Sequence, residues 1–143
     1  MKNGALAGFY LPDYDGGSIL NLMSSLILSH GGRSPHPELK GLPARALAER
    51  EKVVFLVLDG LGWMQLERHL KAGKGRLFFA ARPVQSISTV CPATTAAAIT
   101  TFSTGASPAE HGVLGWHLHL SLELMSLNRT TALIAPRIQA HNP

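Results

Sequence analysis

The sequence lacks features that define several common classes of protein. Its single cysteine, Cys91, excludes an internal disulfide and a zinc knuckle built on several thiolates. The longest strongly apolar run, residues 53–58, is far shorter than the roughly 20 residues of a membrane-spanning helix. The N-terminus also lacks the basic start and apolar core of a signal peptide. We therefore expect a cytoplasmic chain with no membrane partner.

Charged residues are scarce and show no clustering by sign. They make up 15% of the 143 residues, and 13 Lys and Arg against 9 Asp and Glu give a formal net charge of +4. The basic residues form no block, so a specific nucleic-acid partner is not expected. No aspartate follows Asp59, which limits the ligands that the rest of the chain offers a metal.

The apolar residues, 45% of the chain, predict a folded α/β protein. Their spacing predicts a helix after Ser18 that ends at Gly31-Gly32, a short helix over residues 44–51, and a third from Trp63 to near Gly73. A small-residue helix is predicted over residues 95–104, before Gly105. The segment after it begins as a tight loop, with one strand or helix around residues 115–127.

Two segments are typical of strands. Residues 53–58 (VVFLVL) form a continuous apolar run rich in β-branched side chains, which predicts a strand buried on both faces of a parallel sheet, with Asp59 at its carboxyl end. Residues 83–90 alternate in polarity and predict a second strand.

The carboxyl ends of parallel strands form one edge of a sheet, where α/β proteins place their sites. Asp59 follows the first predicted strand, and Thr94 and Thr95 open the helix after the second. A carboxylate is a hard ligand for a divalent metal, and a hydroxyl at a helix N-terminus lies among unpaired N–H groups that stabilise an alkoxide or phosphoryl oxygen. Together they would form half of a phosphoryl-transfer site. An ordinary Asp-Gly turn and an ordinary N-cap threonine explain the same residues.

The stretch VVFLVLDGLGW, followed by STVCPATTAAAITTFSTGASPAEHGVLGW, resembles the alkaline phosphatase superfamily, and in particular its nucleotide pyrophosphatase and type I phosphodiesterase branch. The shared elements are Asp59 after an apolar run, a hydroxyl opening a small-residue helix that ends in Thr104-Gly105, and a Pro-x-x-His-Gly turn at 108–112. The likeness covers residues 52–116, and the earlier YDGGSILNLMSSL is similar to the lead-in of bacterial members.

The resemblance implies a three-layer α/β/α sandwich with a mainly parallel sheet, incomplete in this chain. It also implies a metal-dependent phosphodiesterase or nucleotide pyrophosphatase acting on a small phosphate ester or nucleotide. In relatives the nucleophile lies ten residues before the glycine of the Thr-Gly pair, which selects Thr95, with Thr94 as the alternative. Asp59 and Thr95 would then be metal ligands in a site for two divalent ions, by family likeness zinc. His111 would have a structural role.

The chain departs from the family in its later ligands. Relatives supply a later Asp-x-x-x-His, an Asp-His pair and a final histidine, whereas no aspartate follows Asp59. We therefore expect a truncated enzyme whose 143 residues alone hydrolyse little substrate. Its parts would be lead-in helices and connector (1–51), a metal and nucleophile core (52–120) and a divergent tail (121–143).

Three other interpretations stay open. The chain could be a catalytically inactive fragment of such an enzyme. It could also be a small non-catalytic nucleotide-binding module built on Gly60 and Gly62, although it lacks G-x-G-x-x-G. His117 and His119 share one face of any strand and could bind a metal, but without nearby carboxylates or thiols they are more typical of a surface pair.

Overall fold

The computed structural model describes residues 10–74, 79 and 82–118. Its helices are α1 (Ile19–Ser29), α2 (Ala44–Ala48), α3 (Trp63–Lys71), α4 (Thr95–Thr104) and α5 (Pro108–His111). The first four confirm the helices predicted from the sequence, whereas α5 forms where a tight loop was expected. None of the described helices is long and apolar enough to cross a membrane.

The predicted parallel sheet is not formed by the described residues. Within those ranges the β-type pairing consists of isolated bridges, a parallel one between Ser18 and Ser88 and an antiparallel one between Leu39 and Leu42. The part of the chain that the structure describes consists of helices joined by irregular segments, so it does not itself form the expected three-layer sandwich.

The prediction of a buried strand at residues 53–58 is also wrong. The segment is largely exposed, and the exposed fraction alternates along it: 91% for Val54, 42% for Phe55, 74% for Leu56 and 38% for Val57. The less exposed side includes Phe55, whose ring packs edge-on against Phe102 with centroids 5.4 Å apart. An apolar run indicates that a strand could be buried, but burial requires neighbouring strands, and the described residues place none beside it.

Through Ser88, the second predicted strand (residues 83–90) pairs instead with an N-terminal segment, residues 13–19, which we call the lead-in. Ile19 N–H donates to the Ser88 carbonyl at 2.9 Å, and Ser88 N–H donates to the Gly17 carbonyl at 2.8 Å. This single bridge brings the chain just before α4 against the start of α1.

Beside this bridge lies a small apolar core. Ile19, Val90 and Ala97 are buried, and Tyr14 and Phe102 pack partly buried against them. Because Ala97 belongs to α4 and Ile19 to α1, the cluster joins the two longest described helices.

The most buried face of α1 is largely polar, with Leu20 as its buried apolar member. Asn21, Ser24 and Ser25 are fully buried, whereas Leu22 and Ile27 are only partly covered. These polar side chains bind the backbone of the following connector: Asn21 Nδ2 donates to the Pro37 carbonyl, Ser24 to the His36 carbonyl, and Ser25 accepts from Leu39 N–H. Their burial is stable because each polar group finds a partner.

Asn21 binds the most partners of this polar face. Its Nδ2 also donates to the Tyr14 carbonyl, and its Oδ1 accepts from Ser18 N–H and Oγ. Asn21→Ala leaves these groups unpaired, so we expect a loss of about 3 kcal/mol in the free energy of unfolding, measured by urea denaturation. Ser29→Ala, which removes only local bonds to the Leu26 carbonyl and to His30 Nδ1 at the end of the same helix, should change it by no more than about 0.5 kcal/mol. Equal losses would contradict this account of α1.

A second stability test addresses the exposed segment. Leu56→Asp places a carboxylate at a 74% exposed position, so we expect a change within about 0.5 kcal/mol. Val90→Asp, at a position 1% exposed, buries an unpaired charge and should cost more than about 3 kcal/mol. Urea denaturation of both variants measures the difference, and a large loss in Leu56→Asp would restore the buried-strand prediction.

Candidate active site

The candidate site is built on the N-terminus of α4. Thr94 is the N-cap residue, and its hydroxyl accepts from Ala97 N–H at 3.2 Å. The same hydroxyl donates its proton to the Leu114 carbonyl at 2.8 Å. Thr94 therefore caps the helix and ties it to the loop that follows α5, and its proton is engaged in a hydrogen bond.

Thr95, the first residue of α4, is half-buried. Its hydroxyl makes no hydrogen bond within the described ranges of the chain, and the N–H groups of Thr95 and Ala96 have no acceptor there. Unpaired N–H groups at a helix N-terminus stabilise negative charge on a nearby oxygen. The two adjacent threonines thus differ within the described residues: the Thr94 hydroxyl makes two hydrogen bonds and the Thr95 hydroxyl makes none.

The turn before α4 is held by the lead-in. Cys91 N–H donates to the Tyr14 hydroxyl at 3.1 Å, and Thr94 N–H donates to the Pro92 carbonyl at 2.9 Å. The thiol of Cys91 is free, as expected for a lone cysteine.

Asp59 lies in a turn with Gly60, whose φ of +76° suits glycine. The carboxylate is exposed, and it makes no hydrogen bond or ion pair with the part of the chain that the structure describes. No hydrogen bond therefore joins Asp59 to Thr94 or Thr95 in the structure. Their sharing of a metal stays a prediction.

The donors present suit a divalent ion in kind but not in number. Asp59 offers a hard carboxylate oxygen and Thr95 a hydroxyl, but residues 10–74, 79 and 82–118 contain no group of three or more His, Cys, Asp or Glu that could hold a metal. Those residues alone do not complete a metal site. His117 is exposed. His119 lies outside the described residues, as do residues 119–127 of the predicted strand or helix at 115–127 and the predicted tail, residues 121–143.

His111 has the structural position expected for it. It is 3% exposed; Val113 N–H donates to its Nδ1 at 3.0 Å, and its Nε2 lies 3.2 Å from the Thr101 hydroxyl. Because Nδ1 accepts, the neutral ring carries its proton on Nε2 and donates it to Thr101. The ring thereby fixes α5 and the following loop against α4.

Two glycines of the recognised pattern end helices. Gly105 after α4 and Gly112 after α5 have φ of +69° and +72°, which side chains other than glycine rarely adopt. A Cβ at Gly105 would also collide with the Ile27 side chain of α1. The Thr-Gly and His-Gly pairs of the sequence are thus explained by helix termination and by close packing.

An ion pair missed by the sequence analysis joins the connector to α5. His36 Nε2 lies 3.0 Å from Glu110 Oε2, and Ser107 N–H donates to the same oxygen at 2.6 Å in a capping box. Burial raises the pKa of Glu110, but the bonds to Ser107 and the charge of His36 outweigh it, so the pKa lies below the usual 4.5. The Ser-x-x-Glu spacing was the available signal for this helix start.

Comparison with known proteins agrees with these elements. The model of the type I phosphodiesterase / nucleotide pyrophosphatase family matches residues 53–131, more than half of the chain. Neither the curated proteins nor the solved structures give a significant match.

The chain belongs to the type I phosphodiesterase / nucleotide pyrophosphatase family, part of the alkaline phosphatase superfamily. This confirms the resemblance found in the sequence. The family has an alkaline-phosphatase-like α/β fold, acts on phosphate-ester or nucleotide substrates and generally uses divalent metals. The matched range includes Asp59, Thr94, Thr95 and the Pro-x-x-His-Gly turn, whereas the lead-in lies before it.

His111 predicts a pH dependence of stability. Burial lowers its pKa below the usual 6.5, and the backbone at Ala97 and the charge of Glu110 only partly oppose this. The unfolded chain therefore takes up the proton first. The contribution of His111 to the free energy of unfolding should be complete above pH 6.5 and decline as the pH falls below it.

Urea denaturation between pH 5.5 and 7.5 measures this effect at about one pH unit or more above the usual glutamate pKa of 4.5. The non-titrating variant His111→Asn should be less stable at pH 7.5 and should show a flatter dependence on pH. His69→Asn, at an exposed position on α3, is the matched control and should follow the unmodified chain. A steep decline that survives in His111→Asn would contradict the assignment.

Proposed function

We propose that this chain is a phosphoric ester hydrolase in which Thr95 is the nucleophile, acting on small phosphodiesters or nucleotide pyrophosphates. The observation that carries the proposal is the difference between the two threonines at the start of α4. Within the described residues, the Thr95 hydroxyl and the N–H groups of Thr95 and Ala96 make no hydrogen bond, while Thr94 uses its hydroxyl as a cap and as a donor to Leu114. Membership of the family supplies the reaction class.

The reaction follows from this position. Thr95 Oγ forms a bond to phosphorus as the bond from phosphorus to the leaving oxygen breaks, and the hydroxyl proton is lost to solvent. The N–H groups of Thr95 and Ala96 compensate negative charge on the transferred group. Water then cleaves the phosphothreonyl ester and restores the hydroxyl.

We further propose Asp59 as a metal ligand, with Thr95 as the second donor and zinc as the ion that family likeness favours. A bound divalent ion would lower the pKa of the threonine hydroxyl and neutralise charge on the phosphoryl group. The proposal concerns these two donors, since the described residues do not complete the site.

Turnover of bis(4-nitrophenyl) phosphate in the presence of Zn²⁺, Mn²⁺ or Mg²⁺ tests the proposal. Thr95→Ala should lower any metal-dependent kcat by at least about 100-fold, because the nucleophile is lost. Thr94→Ser keeps the cap and the bond to Leu114, so its kcat should stay within about threefold. Asp59→Asn should lower turnover and raise the metal concentration required.

The adjacent threonines form the control. A large loss in Thr94→Ala with little loss in Thr95→Ala would reassign the nucleophile. Equal turnover in the unmodified chain and Thr95→Ala would contradict the proposal. Absence of turnover with every ion would favour the alternative of a catalytically inactive fragment.

A further inference from the structure

The lead-in, residues 13–19, contacts the chain just before α4 at several points. Besides the Ser18–Ser88 bridge, Asp13 N–H donates to Ser88 Oγ at 2.8 Å, and Ser88 Oγ donates to the Gly17 carbonyl at 3.1 Å. These bonds join groups 69 to 75 residues apart in sequence. The lead-in is therefore part of the same folded unit as α4.

Tyr14 is the lead-in residue whose side chain bonds to the turn before α4. Its hydroxyl accepts Cys91 N–H, three residues before the N-cap Thr94. Its side chain packs against the cluster that contains Val90, just before Cys91, and Ala97, two residues after Thr95. Tyr14 thus bonds to the turn that carries the nucleophile and packs against a cluster whose members lie on both sides of that turn.

Tyr14 is itself fixed by α1. Its carbonyl accepts from Asn21 Nδ2 at 2.8 Å, and Asn21 is fully buried and also bonded to Pro37. A rigid support is what allows a hydrogen bond to define the position of a neighbouring turn. Asn21 therefore ties the Tyr14 backbone to α1 and to the following connector.

We propose that Tyr14 is a positioning residue for Thr95: through its hydroxyl bond to Cys91 N–H, the lead-in sets the turn that places the nucleophile at the start of α4. This inference rests on the proposed function. The lead-in lies before residues 53–131 that match the family, so it adds a functional part that the family match does not cover.

Tyr14→Phe tests the inference, because it keeps the ring in the core cluster and removes only the hydroxyl. We expect amide hydrogen exchange, followed by NMR, to become about 2- to 10-fold faster at Cys91 and Ala97, as expected for loss of one hydrogen bond. Exchange at Leu22 in α1 should stay unchanged. Tyr10→Phe is the matched control, since Tyr10 is 94% exposed.

The kinetic measurement separates positioning from general stability. Tyr14→Phe should lower kcat for bis(4-nitrophenyl) phosphate by about tenfold, with KM changed less than twofold and with little change in Tm. Tyr14→Phe with unchanged exchange at Ala97, or with unchanged kcat despite faster exchange at Cys91, would overturn the inference.

These results are distinguishable from failure of the proposed function. If the unmodified chain shows no turnover, or if Thr95→Ala leaves turnover intact, the proposed function fails. The exchange rates at Cys91 and Ala97 then decide on their own whether Tyr14 sets the start of α4. Faster exchange at both amides supports that coupling, and unchanged exchange at Ala97 overturns it.

Discussion

The close approach of α4 to the lead-in is the constraint on which the described structure depends. It requires a small side chain at Ala97, which is fully buried against Ile19 and Val90. At the other end of α4, Gly105 leaves room for the Ile27 side chain. The small-residue composition of this helix is therefore a packing requirement at the one helix that would carry the nucleophile.

Within α4, polar side chains are accommodated by local bonds. Thr100 and Thr104 donate to the carbonyls four residues earlier, and Thr101 contacts the buried His111. These hydroxyls are satisfied without water, so they do not destabilise a helix that packs against its neighbours. Thr95 differs from them because its hydroxyl makes no hydrogen bond within the described residues. The oxygen and the proton are therefore available for the role of nucleophile that we propose for it.

The helices could be predicted because their signals are local. The spacing of apolar residues after Ser18 and the run from Thr95 to Gly105 define α1 and α4 within ten or so residues. Helix α5 was missed because it has only four residues, although Ser107 and Glu110 form a recognisable capping box. The polar packing of α1 was missed because the partners of Asn21 are backbone carbonyls, which leave no pattern in the sequence.

The errors in the strands have a different cause. An apolar run such as residues 53–58 reports the ability to be buried, but strand pairing depends on segments distant in sequence. Residues 83–90 did find a partner, in the lead-in, through Ser88. Of the candidate site, the family resemblance selected Thr95 with Thr94 as the alternative, and the bonds of Thr94 to Ala97 and Leu114 show that the two hydroxyls differ in their hydrogen bonding.

The central claim, that Thr95 is the nucleophile, is tested most directly by locating the covalent intermediate. The chain is incubated with a phosphodiester and a divalent ion, quenched in acid, digested and sequenced by tandem mass spectrometry. The account predicts a phosphoryl ester on Thr95, absent from Thr95→Ala. A modification on Thr94, or on another residue while Thr95 stays unmodified, would contradict it.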